Sequence, residues 1–411
     1  MKKAVWSSAV VLFLLPAAAH AQVLDSSSID EARQNARTHA GPFYIDPTVL
    51  LKELGVDSNV FNAATDEKSD FTFTVAPQAN VAVAMAHRAL ITTTAAADLV
   101  WYAHYASERS VNPQVTVREE TYLHRITLFA QEAYLNTRQR PNFEIDLRSQ
   151  HLENDALGGV QYRVTPKIFV EVAGRREDTR YNADAFFDGT SLEKTLNRKT
   201  TGGEATVRYA RTPLTTIGVK YERLSDQFAF SPERNSSSYR VMPGLEFKPK
   251  ALVSGFAWVG YRKFTPDRPE VLPAFGGLVA DLGLSYTLLG ATSFGVSYRR
   301  DLTYSYELYQ PFFVNNEVGA SVRRALGSRF DVLVSADRHR YVYQNLLALP
   351  SGVSPLDQRV DTIWNYAGSV GYRVGHDGRI GLGVSYYERD SGLLPHDYDG
   401  LRVGTVLNYG F

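Results

Sequence analysis

The sequence predicts an all-β chain that closes as a transmembrane, antiparallel up-and-down β-barrel of about 18 strands (16–18). Three observations predict it. The run from Leu401 to Phe411 alternates strictly, with Leu401, Val403, Thr405, Leu407, Tyr409 and Phe411 on one face and Arg402, Gly404, Val406, Asn408 and Gly410 on the other. Segments of this pattern recur along the chain at about ten residues each, the length a tilted strand needs to cross a bilayer. The links between them alternate short and long, as in barrels whose short turns face the periplasm.

The elements follow in order. Met1-Lys2-Lys3 is a basic start, Ala9 to Leu15 form the core of an apolar run too short to span a bilayer comfortably, and Ala19-His20-Ala21 is a small-x-small cleavage pattern. Residues 1–21 are therefore expected to be a signal peptide. The chain has no cysteine, so no thiol is present for lipid attachment or a disulfide. Residues 22–41 are expected to be a polar periplasmic N-terminal arm. Within them Ser28-Ile29-Asp30-Glu31 resembles a capping box that starts a short helix through Arg37, and a mobile arm and a small plug both fit it. Residues 42–411 are the barrel.

Lys+Arg and Asp+Glu both total 44, so no net charge points to nucleic acid or to an anionic membrane surface. Tyr (24), Phe (21) and Gly (30) are abundant and spread through alternating segments, which suits a barrel in which every second residue meets lipid. Ile380, Leu382, Val384 and Tyr386 alternate with Arg379, Gly381, Gly383, Ser385 and Tyr387. Trp364, Tyr366, Val370 and Tyr372 alternate with Asn365, Ala367, Ser369, Gly371 and Arg373. The same holds around Phe330, Val314, Phe294 and Leu278. The polar face favours Gly, Ser and Arg, which fits a confined lumen better than a soluble sandwich open to bulk water.

Turn-type links fall at Thr165-Pro166-Lys167, Thr212-Pro213-Leu214, Lys248-Pro249-Lys250, Leu289-Gly290, Gly327-Ser328 and Gly375-His376-Asp377-Gly378. Longer polar stretches lie at 177–200, 226–236, 265–275, 344–360 and 390–396. Counting from the periplasmic C-terminus predicts up-strands near Phe43, Leu90, Glu144, Ile168, Thr216, Leu252, Phe294, Phe330 and Ile380. Down-strands fall near Phe71, Leu123, Gly159, Ala205, Tyr239, Leu278, Val314, Trp364 and Leu401. The phase is ambiguous over 115–135 and 251–264.

The predicted lumen face carries Glu144, Asp146, Arg148, Arg163, Glu171, Arg175, Glu204, Arg208, Lys220, Arg240, Glu246, Arg299, Glu317, Arg323, Arg373 and Arg402, with Tyr387 as a stacking candidate. Arginine dominates, and a guanidinium fork binds carboxylates and phosphates, which points to a pore favouring anionic solutes. Ladders of Arg and Glu that merely fill and cross-link the interior fit the same residues. Trp101, Tyr102, Trp258, Tyr261, Tyr304, Tyr306, Tyr341, Tyr343, Tyr386 and Tyr409 are expected in interfacial girdles.

No enzyme is expected. His124 and His339 fall in predicted strands, and neither has a serine beside it as a nucleophile needs. Asp337-Arg338-His339 reads as a polar strand end. Asp397-Tyr398-Asp399-Gly400 lacks the downstream Glu of an EF-hand. No cofactor or metal is predicted. The run 177–200, with Arg176 before it, carries Arg180, Lys194, Arg198 and Lys199, placed either to constrict a pore or to contact surface polysaccharide.

The ending Leu407, Tyr409 and Phe411 is similar to the signal by which bacterial outer-membrane barrels are recognised by the barrel-assembly machinery. Gly41-Pro42-Phe43-Tyr44-Ile45-Asp46-Pro47-Thr48-Val49-Leu50-Leu51, followed by Gly55-Val56-Asp57-Ser58-Asn59-Val60-Phe61, resembles the opening of the putative β-barrel porin type 2 proteins. Phe71-Thr72-Phe73-Thr74-Val75-Ala76-Pro77 resembles their second strand, and Glu144-Ile145-Asp146-Leu147-Arg148 is also similar to that group. The resemblance implies a bacterial outer-membrane channel linked with exopolysaccharide production, with outer-membrane lipid, anionic polysaccharide and periplasmic export components as partners. It supplies no catalytic residues. A non-conducting barrel acting through its long extracellular loops is the alternative.

Overall fold

The computed structural model describes residues 27–85, 88–249, 251–349, 351–352, 357–375, 378–392 and 396–410. The expected signal peptide, residues 1–21, and Phe411 of the expected assembly signal lie outside them. The chain opens with α1 (Ser27–Asn35) and the short β1 (Thr38–Ala40). Then come β2 (Phe43–Asp57), β3 (Asp70–Met85), β4 (Ala89–Tyr102), β5 (Ser110–Leu123), β6 (Ile126–Thr137), β7 (His151–Arg163) and β8 (Ile168–Tyr181). A small hairpin of β9 (Phe186–Phe187) and β10 (Thr190–Ser191) leads to α2 (Leu192–Leu196). The walls resume with β11 (Arg198–Thr212), β12 (Thr215–Phe228), β13 (Ser236–Phe247), β14 (Val253–Pro266), β15 (Phe275–Leu288) and β16 (Thr292–Tyr304). They finish with β17 (Phe312–Leu326), β18 (Phe330–Gln344), β19 (Val360–Val374), β20 (Gly378–Asp390) and β21 (Tyr398–Gly410).

Among the described residues nineteen strands form one antiparallel sheet. Each strand from β2 to β8 and from β11 to β21 pairs with its neighbours, and β2 pairs with β21, closing an 18-stranded barrel. Closure leaves no unpaired edge, the condition for β-structure in lipid. Where the start of β2 outruns β21, β1 folds back on it through Gly41 at φ +59° and pairs Ala40 with Phe43. At the seam β2 carries a bulge between Leu51 and Leu54. Beyond it Gly55 comes so close to β21 that an added Cβ would stand 1.9 Å from the Val403 carbonyl oxygen.

Alternation explains both faces. Val172, Val207, Val219, Val259, Val296, Val334, Val370 and Leu382 stand outward and exposed, as lipid-facing residues must. The predicted lipid face of the last strand is outward, with Leu401, Val403 and Tyr409 each more than two-fifths exposed. Short turns hold one rim. Leu289 and Gly290 both take positive φ, 50° and 67°, the pair of dihedrals of a I′ turn, within the three-residue link between β15 and β16. Among the described residues no helix is long and apolar enough to cross a membrane.

One predicted strand is corrected. The up-strand expected near Glu144 is β6, and residues 138–150 are a connection. The sequence hid the β5–β6 hairpin because its two-residue turn is His124-Arg125, with His124 at φ 46° and no glycine or proline to mark it. His124 therefore lies in a turn, not inside a strand. Glu144-Ile145-Asp146 alternates like a strand, yet Asn142 Oδ1 accepts from the amides of Glu144 (2.8 Å) and Ile145 (3.1 Å) and turns the chain there. The lead-in is helical over Ser27–Asn35, with Ile29 buried against Ala84 and Leu90 on the inward side of the wall.

Candidate functional site: the lumen and its constriction

The inward face is charged because the alternate strand positions that cannot meet lipid are free to be polar. Burial then forces those charges into pairs. Arg208 on β11, only 1% exposed, lies 3.1 Å from Glu171 on β8 and 3.4 Å from Glu246 on β13. Arg240 on β13 reaches Glu222 at 2.8 Å and Asp301 at 3.0 Å, and Arg262 joins Asp301 at 2.6 Å. Arg175 meets Asp155 (2.9 Å) and Glu177 (3.4 Å), Arg299 meets Asp281 (3.8 Å), and Arg402 meets Asp57 (2.9 Å). Arg163, at the turn end of β7, donates to the His124 carbonyl. The predicted arginines are thus interleaved with carboxylates of neighbouring strands through most of the wall.

The short-turn end differs. Arg323 of β17 and Arg379 of β20 both meet the buried Asp331 of β18, at 3.5 and 2.6 Å. Arg373 of β19 stands directly opposite Arg379 in the register. Among the described residues three guanidiniums gather about Asp331. Next to them the wall of β19 and β20 is small, with Ser369, Gly371, Gly381, Gly383 and Ser385 on the inward positions.

At the long-loop end segment 138–150 crosses the interior. Its Phe143 packs 4.7 Å from the His339 ring of β18 and beside the cluster of Phe313, Tyr341, Tyr343 and Ile363. Asp146 accepts from Arg389 of β20 (2.7 Å) and from Asn62 (3.1 Å). Arg148 donates to the Val60 carbonyl (2.8 Å) and meets Glu108 (3.3 Å). Glu144 is fully buried, and the Ser305 hydroxyl donates to it. Burial pushes its carboxyl up to about 7, against that hydrogen bond and the nearby Arg359 and Arg389. Ile145 joins Leu192 and Leu196 of α2, Tyr181 and Tyr306 in a second apolar cluster, so 138–150 and 182–197 pack together.

Of the predicted residues, Glu144, Asp146 and Arg148 therefore sit in this crossing segment rather than on a strand. Arg163, Arg175, Arg208, Arg240, Arg299, Arg323, Arg373 and Arg402 lie on strands; the sequence put Arg379 on the polar face of its strand without counting it among the lumen charges, and missed Arg262 and Arg389. Alternation along β20 from Arg379 through Tyr387 was the signal available for Arg389. Tyr387 is inward and buried, donating to Asp57 and to the Asn59 carbonyl, both at 3.0 Å. The girdle expectation is corrected for six residues. Tyr102, Trp258, Tyr306, Tyr341 and Tyr343 are buried inside and Tyr304 is half-buried among the inner clusters, whereas Trp101, Tyr261 and Tyr409 are exposed outward. Trp258 lies over Gly244 and Gly218, with Lys220 Nζ 4.8 Å from its ring centre, which is why an inward tryptophan fits. Among the described residues no group of three or more His, Cys, Asp or Glu is placed to hold a metal.

A family model described as "Putative beta-barrel porin 2" matches residues 35–409. The chain belongs to that family. This porin-family chain is thereby a porin-like barrel of the bacterial outer membrane. No curated protein matches it. Among solved structures it is similar to the outer membrane protein opdK from Pseudomonas aeruginosa, at 10% identity and TM-score 0.45, over 89% of this chain and 98% of that one. It is similar to the siderophore receptor PirA from Pseudomonas aeruginosa, at 8% identity and TM-score 0.45, over 91% and 81%. It is also similar to a bacterial polysaccharide outer membrane secretin, at 8% identity and TM-score 0.35, over 89% and 98%.

Proposed function

We propose that this barrel is a channel for hydrophilic anionic solutes, with acidic exopolysaccharide as the polymer of that class. The observation that carries the reading is the grouping of Arg323, Arg373 and Arg379 about Asp331 at the periplasmic end of the lumen. Elsewhere arginines and carboxylates alternate and nearly cancel. Here three forks gather about Asp331 beside a wall of glycine and serine, a placement that suits a passing carboxylate or phosphate. Segment 138–150 is the constriction, and passage of a polymer requires it to swing away from Arg389 and Ser305. Periplasmic export components would then deliver the chain to the short-turn rim.

A second reading has its own support. The long-loop mouth is filled by buried apolar clusters around Ile145, Phe313 and Phe264, which suits a non-conducting barrel acting through its loops. Planar-bilayer conductance separates the two. Anion-preferring openings whose selectivity falls in the variant carrying Arg323→Gln, Arg373→Gln and Arg379→Gln support the channel. A folded barrel that stays silent, even after residues 140–147 are replaced by a short Gly-Ser link, sinks it.

A further inference from the structure

The outward face carries a charged patch that the lumen reading does not use. On β8 and β11–β14 the aliphatic lipid belt ends at Tyr221 and Tyr261, 43% and 46% exposed, which stand level with each other across Val241. Such tyrosines mark the headgroup level. The next outward row towards the long-loop rim is Arg223, Tyr239 and Lys263, direct partners in the register. Above it run Arg176, Thr201, Ser225, Ser237 and Thr265, also in direct register. Lys199 follows, opposite Asp178 and Gln227, with Arg180 beyond. These rows hold five cations and one carboxylate. Asp178 is engaged by Arg176 at 2.8 Å and lies 3.8 Å from Arg180. Glu119 and Glu132 lie farther round the wall, on β5 and β6.

The small residues of these rows leave a hollow. A shallow recess of about 560 Å³ is lined by Thr201, Gly203, Ala205, Arg223, Ser225 and Ser237. It runs from the apolar Val172 and Ala205 up to the Arg223 side chain. Outward cations have no reason to be there for the hydrocarbon's sake. They do suit a ligand that is apolar below and multiply anionic above.

We infer that the outward face of β8 and β11–β14 at the extracellular rim binds a phosphorylated lipid of the outer leaflet. Arg176, Lys199, Arg223 and Lys263 hold its phosphates, and an acyl chain lies along the Gly203–Ala205 recess. Guanidinium and ammonium groups pair with phosphate oxygens through charge-assisted hydrogen bonds, and the flanking hydroxyls of Thr201, Ser225 and Ser237 are placed to donate beside them.

The test titrates the full-length barrel in detergent with diphosphoryl lipid A and with its dephosphorylated form, counting bound lipid by native mass spectrometry. The phosphorylated lipid is expected to bind about tenfold or more tightly, and the variant R176Q/K199Q/R223Q/K263Q to lose about tenfold or more. Arg324→Gln, exposed at the opposite rim, is expected to bind as wild type, and heat-modifiable migration on gels checks that each barrel is folded. Equal binding of both lipids overturns the inference, as does a fourfold variant that binds like wild type. A variant that loses only self-association, with lipid binding unchanged, assigns the patch to a second copy of the chain and also overturns it.

Discussion

Arg379 on β20 holds Asp331 on β18 across the whole width of β19, its Nε 3.0 Å and its terminal nitrogen 2.6 Å from the carboxylate. The guanidinium passes over Gly371, where an added Cβ would sit 2.3 Å from it. The glycine is thus what lets two strands that never touch be bridged. Its partner is fully buried, so the bridge cannot be replaced by water.

Gly371→Val should push Arg379 off Asp331 and cost about 1–3 kcal/mol, the range for a lost bond to a buried charge. Gly368→Ala, where nothing lies within 4 Å, is the control. Urea unfolding of the two variants in the same detergent checks this. Equal stability would show that Arg379 finds another route to the acid.

Arg208→Met removes the cation between Glu171 and Glu246 and strands a carboxylate that is 1% exposed. A destabilisation of about 3–5 kcal/mol is expected. Adding Glu171→Gln should restore part of it, since an amide is far cheaper to bury than an unpaired charge. Unfolding midpoints for the single and double variants give the coupling.

Glu144 links the constriction to pH. Its carboxyl is raised from the ordinary 4.5 to about 7 where it is buried, so the docked segment favours the neutral form. Docking of 138–150 is then strongest below about pH 4.5 and weakens as pH rises through about 7, by up to about 3 kcal/mol. Amide exchange across the segment should speed up over that window, and Glu144→Gln should abolish the dependence. Exchange that slows with pH, once the intrinsic rate is divided out, would contradict the assignment.

Gly244→Val places a side chain into the Trp258 ring, two of whose atoms lie 2.3 and 2.5 Å from an added Cβ. The indole must leave its buried seat, so its emission should shift to the red. An unshifted spectrum would mean the strand moves instead of the ring.

The sequence by itself determined the barrel and its even strand number. Period-two alternation fixes which residues face lipid, and a one-residue slip would turn every apolar side chain inward, so Val403 and Leu382 leave little choice. Those are local properties of a strand and need no knowledge of its neighbours. The β5–β6 turn was hidden because His124-Arg125 uses no residue type that marks a turn. What only the tertiary structure decided is which charges meet and what fills the interior. Arg379 finds Asp331 two strands away, Trp258 settles on Gly218 and Gly244, and Glu144, strand-like in pattern, crosses the lumen to Ser305. Such contacts join residues from distant strands or loops once the sheet has curled into a ring, and no spacing along one strand encodes them.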